Sequence, residues 1–273
     1  MTNGAVLVTG ANSGLGLATA LEVARRGYDV IGSVRSEAKA DVLHQAAAEA
    51  GVAVRHVLLD VTDPERCAEV VEAVGPLHGL VNNAGVGRMG AIEDVGDDEA
   101  RDLLETMLVA PMRLARLALP GMRTRGKGRI VNISSIYGRA STPLAGWYQA
   151  AKQGLEGASD ALRMEVAREG IAVVLVEPGA FRTDIFDEAR DAMTGRDESA
   201  YRGAHDRLAS LMRLAQPLMG DPRQVARVVG GAVDARHPRD RYLVGLDAQF
   251  FNLANSLLAR PVLDRISRLA TSL

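Results

Sequence analysis

A chain of 273 residues, 47% hydrophobic and 24% charged, has material for one large folded unit or two small ones. Its net charge of −2 gives no electrostatic ground for binding nucleic acid or an anionic membrane, and no apolar run approaches the ~20 residues of a membrane span. One cysteine, Cys67, excludes an internal disulfide and suits a buried, inert thiol in a reducing compartment; the opening MTNGAVLVTG shows no basic flank or cleavage site, so the cytoplasm is the expected location.

Ala5 to Thr9 is a compact apolar run, predicted as a strand, and it enters Gly10-Ala-Asn-Ser-Gly14-Leu-Gly16 directly. A helical pattern follows to Arg26 and stops at Gly27, a residue that tolerates a left-handed cap. Tyr28 to Val34 reads as a second strand, Glu37 to Ala50 as a helix, and Val52 to Leu59 as a third strand ending at Asp60. Asp63 is placed to cap a helix over Pro64 to Val74. Leu77 to Val81 is a fourth strand running into Asn82-Asn-Ala-Gly85.

Asp97 to Arg125 reads as one long helix, bent or interrupted near Pro111 and Pro120. Arg129 to Ile133, Trp147 to Arg168 and Ile171 to Val176 continue the alternation as strand, helix and strand. Such alternation predicts an α/β fold with a doubly wound parallel sheet covered on both faces, in one domain over 1–273. Residues 180–220 are irregular and rich in Arg, Asp, Met and Ala, as suits a helical substrate lid after a strand's carboxyl end. Phe181, Phe186, Met193, Leu208, Leu211 and Met212 are expected to form its apolar underside. Pro222 to Ala235 is helical and Arg241 to Val244 is a short last strand. Residues 247–273 form a C-terminal helical extension broken at Pro261. Its stripe (Phe250, Phe251, Leu253, Leu257, Leu258, Leu263, Ile266, Leu269) is expected to pack on the body or on a second subunit.

The chemistry is expected between Ser135 and Lys152. Tyr148 and Lys152 lie four apart, one turn apart on one helix face. An ammonium beside a phenol favours the phenolate and should draw the tyrosine down from its ordinary value of about 10. Such a group exchanges a proton with a carbonyl or alcohol oxygen, and Ser135 would supply a second donor to that oxygen. Tyr137 is a weaker rival, with Ser141 rather than a cation four residues on, and Ser134 should face the other side of the strand. Trp147 is equally a core anchor or a pocket wall. The five histidines (44, 56, 78, 205 and 237) have no ligand spacing, read as surface or helix-end residues, and give no metal site.

Glycines 10, 14 and 16 make a tight strand exit whose following helix points unpaired N–H groups at an anion. The second strand ends Gly32-Ser33-Val34-Arg35, with no carboxylate before Glu37. A 2′-hydroxyl wants an acid there, whereas a 2′-phosphate wants a cation, so Arg35 points to NADP(H).

In order along the chain stand Thr9-Gly10-Ala-Asn-Ser-Gly14-Leu-Gly16, Asp60, Asn82-Asn-Ala-Gly85, Ser135, Tyr148-x-x-x-Lys152 and Pro178-Gly179-x-x-x-Thr183. With these the chain resembles the short-chain dehydrogenase/reductase family over residues 5–245. The wording Glu177-Pro-Gly-Ala-Phe-Arg-Thr183, with Arg35 and the long tail, is similar to its hydroxysteroid-dehydrogenase-like branch. The resemblance implies a seven-stranded Rossmann sheet with carbonyl chemistry at its carboxyl edge. It implies that Gly10, Ser13, Leu15 and Gly16 wrap the pyrophosphate and adjoining ribose, and that Asp60 and Val61 flank adenine. Asn83, Ala84 and Gly85 would line the middle of the dinucleotide, and Pro178, Gly179 and Thr183 would hold the nicotinamide amide. Lys152 would also bond the nicotinamide ribose, Ser135 would orient the substrate oxygen and Tyr148 would exchange the proton. It further implies a homodimer or homotetramer, partly through the helices of Asp97 to Arg125 and Trp147 to Arg168.

One position departs from the family pattern: Met107 stands where the helix usually carries an asparagine that holds a relay water. A thioether is a feeble acceptor, and Thr106 should point roughly 100° away around the helix. The expected activity is NADP(H)-dependent interconversion of a carbonyl and an alcohol on a fairly apolar small molecule. The alternatives are a non-redox biosynthetic enzyme of the same fold (epimerase, dehydratase or cyclase) and a catalytically idle NADP(H)-sensing protein.

Overall fold

The computed structural model describes residues 3–273, so the first two residues of the expected domain lie outside it. Seven parallel strands form one sheet: β1 (Ala5–Val8), β2 (Asp29–Val34), β3 (Arg55–Leu58), β4 (Gly79–Asn82), β5 (Gly128–Ile133), β6 (Ile171–Pro178) and β7 (Arg241–Val244). Their spatial order is β3-β2-β1-β4-β5-β6-β7. The chain winds outward from β1 in one direction, then jumps back to β4 and winds the other way. The crevice at that reversal, outside the carboxyl ends of β1 and β4, is where such sheets take ligands.

Helices α1 (Gly14–Arg25), α2 (Glu37–Glu49) and α9 (Pro222–Asp234) cover one face. Their Ala20, Val23, Leu43, Val225 and Val229 pack with Val6, Val8, Val30 and Val131 of the strands. On the other face α3 (Pro64–Val74), α5 (Ala110–Arg125) and α6 (Gly146–Glu165) bring Cys67, Val70, Leu114, Met122 and Leu162 onto Leu7, Ile31, Leu80 and Ile130. Because both faces are covered, the strands read as continuous apolar runs rather than alternating ones. Asp63 caps α3 as expected, its Oδ1 accepting from the Arg66 N–H at 2.9 Å.

Besides shifts of one to three residues at other element ends, three differences from expectation stand out. The third strand begins at Arg55 rather than Val52, because β3 is an edge strand whose only partner, β2, pairs from Ile31↔Arg55 to Val34↔Leu58. The long helix divides into α4 (Asp97–Leu104), a π-helical turn over Glu105–Val109, and α5. Pro111 lies directly after the π-helical turn, and Pro120 is carried inside α5. The C-terminal extension forms α10 (Leu246–Leu257) and α11 (Arg260–Thr271), with Pro261 in the first turn of α11 instead of at the break.

Most of the tail's apolar stripe is left uncovered by the body, one of its two expected partners. Phe250, Leu253, Leu257, Leu258, Ile266 and Leu269 are exposed, and only Phe251 and Leu263 are half-buried. No helix among the described residues is long and apolar enough to cross a membrane.

Candidate active site

A cleft of about 690 Å³ opens at the carboxyl edge of the sheet. Every candidate residue of the sequence lies on its wall: Gly10, Ser13, Leu15 and Gly16; Arg35; Asp60 and Val61; Asn83, Ala84 and Gly85; Ser135, Tyr148 and Lys152; Pro178, Gly179 and Thr183.

The glycine turn is braced from the neighbouring strand. The Thr9 hydroxyl accepts from the backbone N–H of Asn83 (2.9 Å) and of Ala84 (3.0 Å), and the Asn83 amide donates back to the Thr9 carbonyl at 2.8 Å. Gly10 takes a left-handed backbone (φ +65°), and its N–H donates to the Ser33 hydroxyl at 3.3 Å. Ser13 precedes α1 in extended conformation with no side-chain cap, which leaves the first-turn N–H groups for an anion. This cradle fits a dinucleotide pyrophosphate.

At the far end of the cleft, Arg35 is exposed on the wall with Lys39 half-buried beside it on α2. Glu37, the nearest carboxylate in sequence, is turned away to His56, 3.3 Å from Nε2. Burial works to raise the Asp60 carboxyl, but bonds from the Thr62 N–H and hydroxyl and the charge of Arg35 hold it below the ordinary value. A cation pair outnumbering the one acid, Asp60, whose charge reaches Arg35 suits a phosphate. Lys39 was not singled out in the sequence, because its place on the cleft depends on how α2 sits against β2.

Ser135 follows β5 in extended conformation, and its Oγ accepts from the Tyr137 N–H at 3.2 Å. Tyr148 and Lys152 rise one turn apart from α6. Lys152 Nζ donates to the Ile133 carbonyl at 2.8 Å and stands 5.9 Å from the centre of the Tyr148 ring. The phenol is not drawn down as the spacing predicts. Burial pushes Tyr148 up to about 12, with Ser135 pulling the other way, and burial takes Lys152 down to about 8 against the charge of Glu156. In the protein alone, desolvation outweighs the attraction, because the ammonium is held to a backbone carbonyl rather than to the phenol.

The rival candidates resolve in this geometry. Tyr137 meets Tyr148 edge-to-face at 6.0 Å and is itself raised by burial. Ser134 reaches the cleft wall too, but its hydroxyl lies beside Glu156 under Gly138. Trp147 packs with Leu103, Met107 and Ala151, which makes it a core anchor. Met107 is 1% exposed in the π-helical turn, and both it and Thr106 line the cleft. The widened turn thus admits a neighbour that regular helical spacing sends aside.

His205 corrects the surface reading of the histidines. It is 1% exposed on the helix over Arg202–Ala215, its Nε2 accepting from the Ala91 N–H at 3.3 Å with Asp94 3.6 Å away. Among the described residues no group of three or more His, Cys, Asp or Glu could hold a metal.

The lid consists of α7 (Asp184–Asp191) and α8 (Arg202–Ala215). Phe181, Phe186, Leu208 and Met212 line the cleft as expected, together with Ile185 and with Phe251 and Ile266 of the tail. Met193 instead fills a small core under the lid with Ala91 and Leu144, and Leu211 is exposed. Glu188 Oε2 accepts from the Gly87 N–H at 3.0 Å, tying α7 to the loop after β4.

Comparison with known proteins agrees with this architecture. Residues 4–194 match the family model described as short chain dehydrogenase. Human retinol dehydrogenase 5 is 33% identical over 286 residues, covering 97% of this chain and 88% of its own. A short-chain dehydrogenase from Streptomyces avermitilis superposes with a TM-score of 0.82 at 34% identity, over 100% of this chain and 99% of that one. A variant of the actinorhodin polyketide ketoreductase crystallised with NADPH gives a TM-score of 0.79 at 31% identity, over 92% and 100%. The chain therefore belongs to the short-chain dehydrogenase family of nicotinamide-cofactor-binding oxidoreductases.

Proposed function

We propose that the protein is an NADP(H)-dependent oxidoreductase that interconverts a ketone or aldehyde and the matching alcohol on a fairly apolar small molecule. The observation that carries this reading is the convergence of Ser135, Tyr148 and Lys152 on one wall of a cleft whose other end bears Arg35 and Lys39. The similar polyketide ketoreductase, crystallised with NADPH, and the retinol dehydrogenase support it.

A bound nicotinamide would supply or accept the hydride. Ser135 holds the substrate oxygen: one of its two lone pairs accepts from the Tyr137 N–H, which orients the hydroxyl, and its proton is donated to that oxygen. Tyr148, protonated at neutral pH, donates in the reducing direction. Lys152 carries positive charge beside the phenol and offsets negative charge as the proton leaves. Ile185, Phe186, Leu208 and Met212 keep water from the reacting carbon and favour an apolar substrate.

Met107 favours one second reading, a non-redox enzyme of the same fold. Absorbance of the reduced nicotinamide separates the two: net consumption during a screen of ketones with NADPH and NADH means redox, and product without consumption means otherwise. Tyr148→Phe should lower turnover by about 10²–10⁴-fold with dinucleotide affinity nearly unchanged; full activity in that variant sinks the assignment. We place the protein in the cytoplasm as a homodimer or homotetramer, to be checked by sedimentation.

A further inference from the structure

Helix α6 carries a third polar residue in line with Tyr148 and Lys152. Glu156 follows Lys152 by four positions, so the three side chains stack one turn apart along one face. Glu156 is 7% exposed and Lys152 6%, a depth at which an unpaired charge is costly.

Glu156 sits in a buried network behind the cleft. Its Oε2 accepts from Arg241 Nη2 at 2.9 Å and Nε at 3.2 Å. Its Oε1 has no hydrogen bond and lies beside the equally unpartnered Ser134 hydroxyl. Arg241 also bonds Asp160 (2.7 Å) and meets Glu177 (3.2 Å), which is fully buried and held from its other side by Arg139. Arg163 bonds Asp160 at 3.1 Å and reaches Asp240 at 3.5 Å. The network thus sets four carboxylates (Glu156, Glu177, Asp160 and Asp240) against three guanidiniums (Arg139, Arg241 and Arg163), one positive charge short. The Lys152 ammonium stands one turn back along α6 from Glu156, at the cleft end of this network. On the facing turn Met107 offers no charge or strong hydrogen-bond partner.

We propose that Glu156 is the positioning residue that keeps Lys152 an ammonium inside the fold, acting as its counter-charge one turn along α6. The inference rests on the proposed role of Lys152 for its meaning in catalysis. Among side-chain charges, Glu156 is the one that opposes the burial of Lys152. Glu156 in turn is raised by burial and by Glu177, against the hydrogen bonds and charge of Arg241. Tyr148 and Tyr137, the other titratable groups at this end of the cleft, stay neutral through the working range because burial raises both.

The test needs no substrate. The chain contains three lysines, Lys39, Lys127 and Lys152, so protein labelled with ¹³C at lysine Cε gives three signals that Lys152→Met assigns. In Glu156→Gln the titration midpoint of Lys152 should fall by about one pH unit or more, a tenfold change in its protonation equilibrium. Glu156→Asp, which keeps the charge, should hold the midpoint near that of the parent and covers the case in which the glutamine variant misfolds. Asp160→Asn, which also contacts Arg241 but lies a turn further from Lys152, should move it far less. An unchanged midpoint in Glu156→Gln, an aspartate variant shifted as far as the glutamine one, or an equal shift in Asp160→Asn overturns the proposal. Full NADPH-linked turnover in Lys152→Met, alongside the predicted shift, would instead overturn the catalytic role of Lys152 and leave the pairing standing.

Discussion

A Cβ on Gly16 would stand 2.0 Å from the carbonyl oxygen of Gly10 and 2.4 Å from the amide nitrogen of Asn83. The third glycine of the turn is therefore fixed by the turn folding back on its own helix, where backbone meets backbone. Gly16→Ala must move either the Gly10 loop or α1. It should cost about 1–3 kcal/mol of stability, as overpacking does, and weaken dinucleotide binding at least tenfold. Gly203, exposed on α8 with nothing within 4 Å of an added Cβ, is the control. Gly203→Ala should stabilise by about 0.5–1 kcal/mol and leave binding alone. Thermal melts and fluorescence titration with NADPH read both effects.

Arg35 and Lys39 face the same end of the cleft, and Glu37 is occupied by His56. Removing a guanidinium that bonds a phosphate forfeits a charge-assisted interaction of about 1.5–3 kcal/mol. Arg35→Ser should raise the KM for NADPH by about 10–100-fold and leave that for NADH within about threefold, with Lys39→Ser smaller in the same direction. A tenfold preference of the parent protein for NADH would remove the basis of this reading.

The parallel α/β alternation, the glycine turn, Arg35 and the Tyr148–Lys152 pair were legible because each depends on local signals (apolar runs, glycine exits and residues four apart on one helix), whereas the seven-stranded sheet and the rest of the cleft wall came with the family resemblance. What escaped depends on packing at a distance. Lys39 reaches the cleft only through the tilt of α2, and His205 is buried only because α8 folds against Ala91 and Asp94. The π-helical turn at Glu105–Val109 has no composition of its own that separates it from the helices on either side. The sign of the shift at Tyr148 was misjudged for the same reason. Spacing shows that a cation is near, but it does not show that the cation donates to the Ile133 carbonyl or how dry the site is.

Met107 is buried against Leu103 and Ala151, with its sulfur facing the Gly85 side of the cleft. Met107→Asn would place an amide able to hold a water there, at the expense of apolar packing. The variant should lose about 1–3 kcal/mol of stability, because a buried amide without full partners is costly. If a relay water limits turnover, kcat should rise severalfold and the pH profile should broaden. An unchanged rate and profile would show that the proton leaves by another route.

Lys152 gives a prediction whose sign is independent of substrate. An unfolded lysine titrates near 10.4, and burial brings the folded one down to about 8. Below pH 8 both states hold the proton, and the cost of enclosing an ammonium is present in full. Between pH 8 and about 10 the folded protein releases a proton that the unfolded chain keeps, so the unfolded state binds more protons and stability rises with pH. Measured against Lys152→Met, which lacks the group, the parent protein should therefore gain about 1–3 kcal/mol across that window, the upper figure being set by 1.36 kcal/mol for each pH unit. Urea unfolding of both proteins at a series of pH values gives the difference directly. The series should stop at about pH 10, because Tyr148 acts in the opposite sense above it: its folded value of about 12 means that the native state keeps a proton the unfolded chain loses, and stability falls. A difference between the two proteins that stays flat or shrinks from pH 8 to 10 would mean that Lys152 is not enclosed as an ammonium, and the electrostatic support drawn for Tyr148 would go with it.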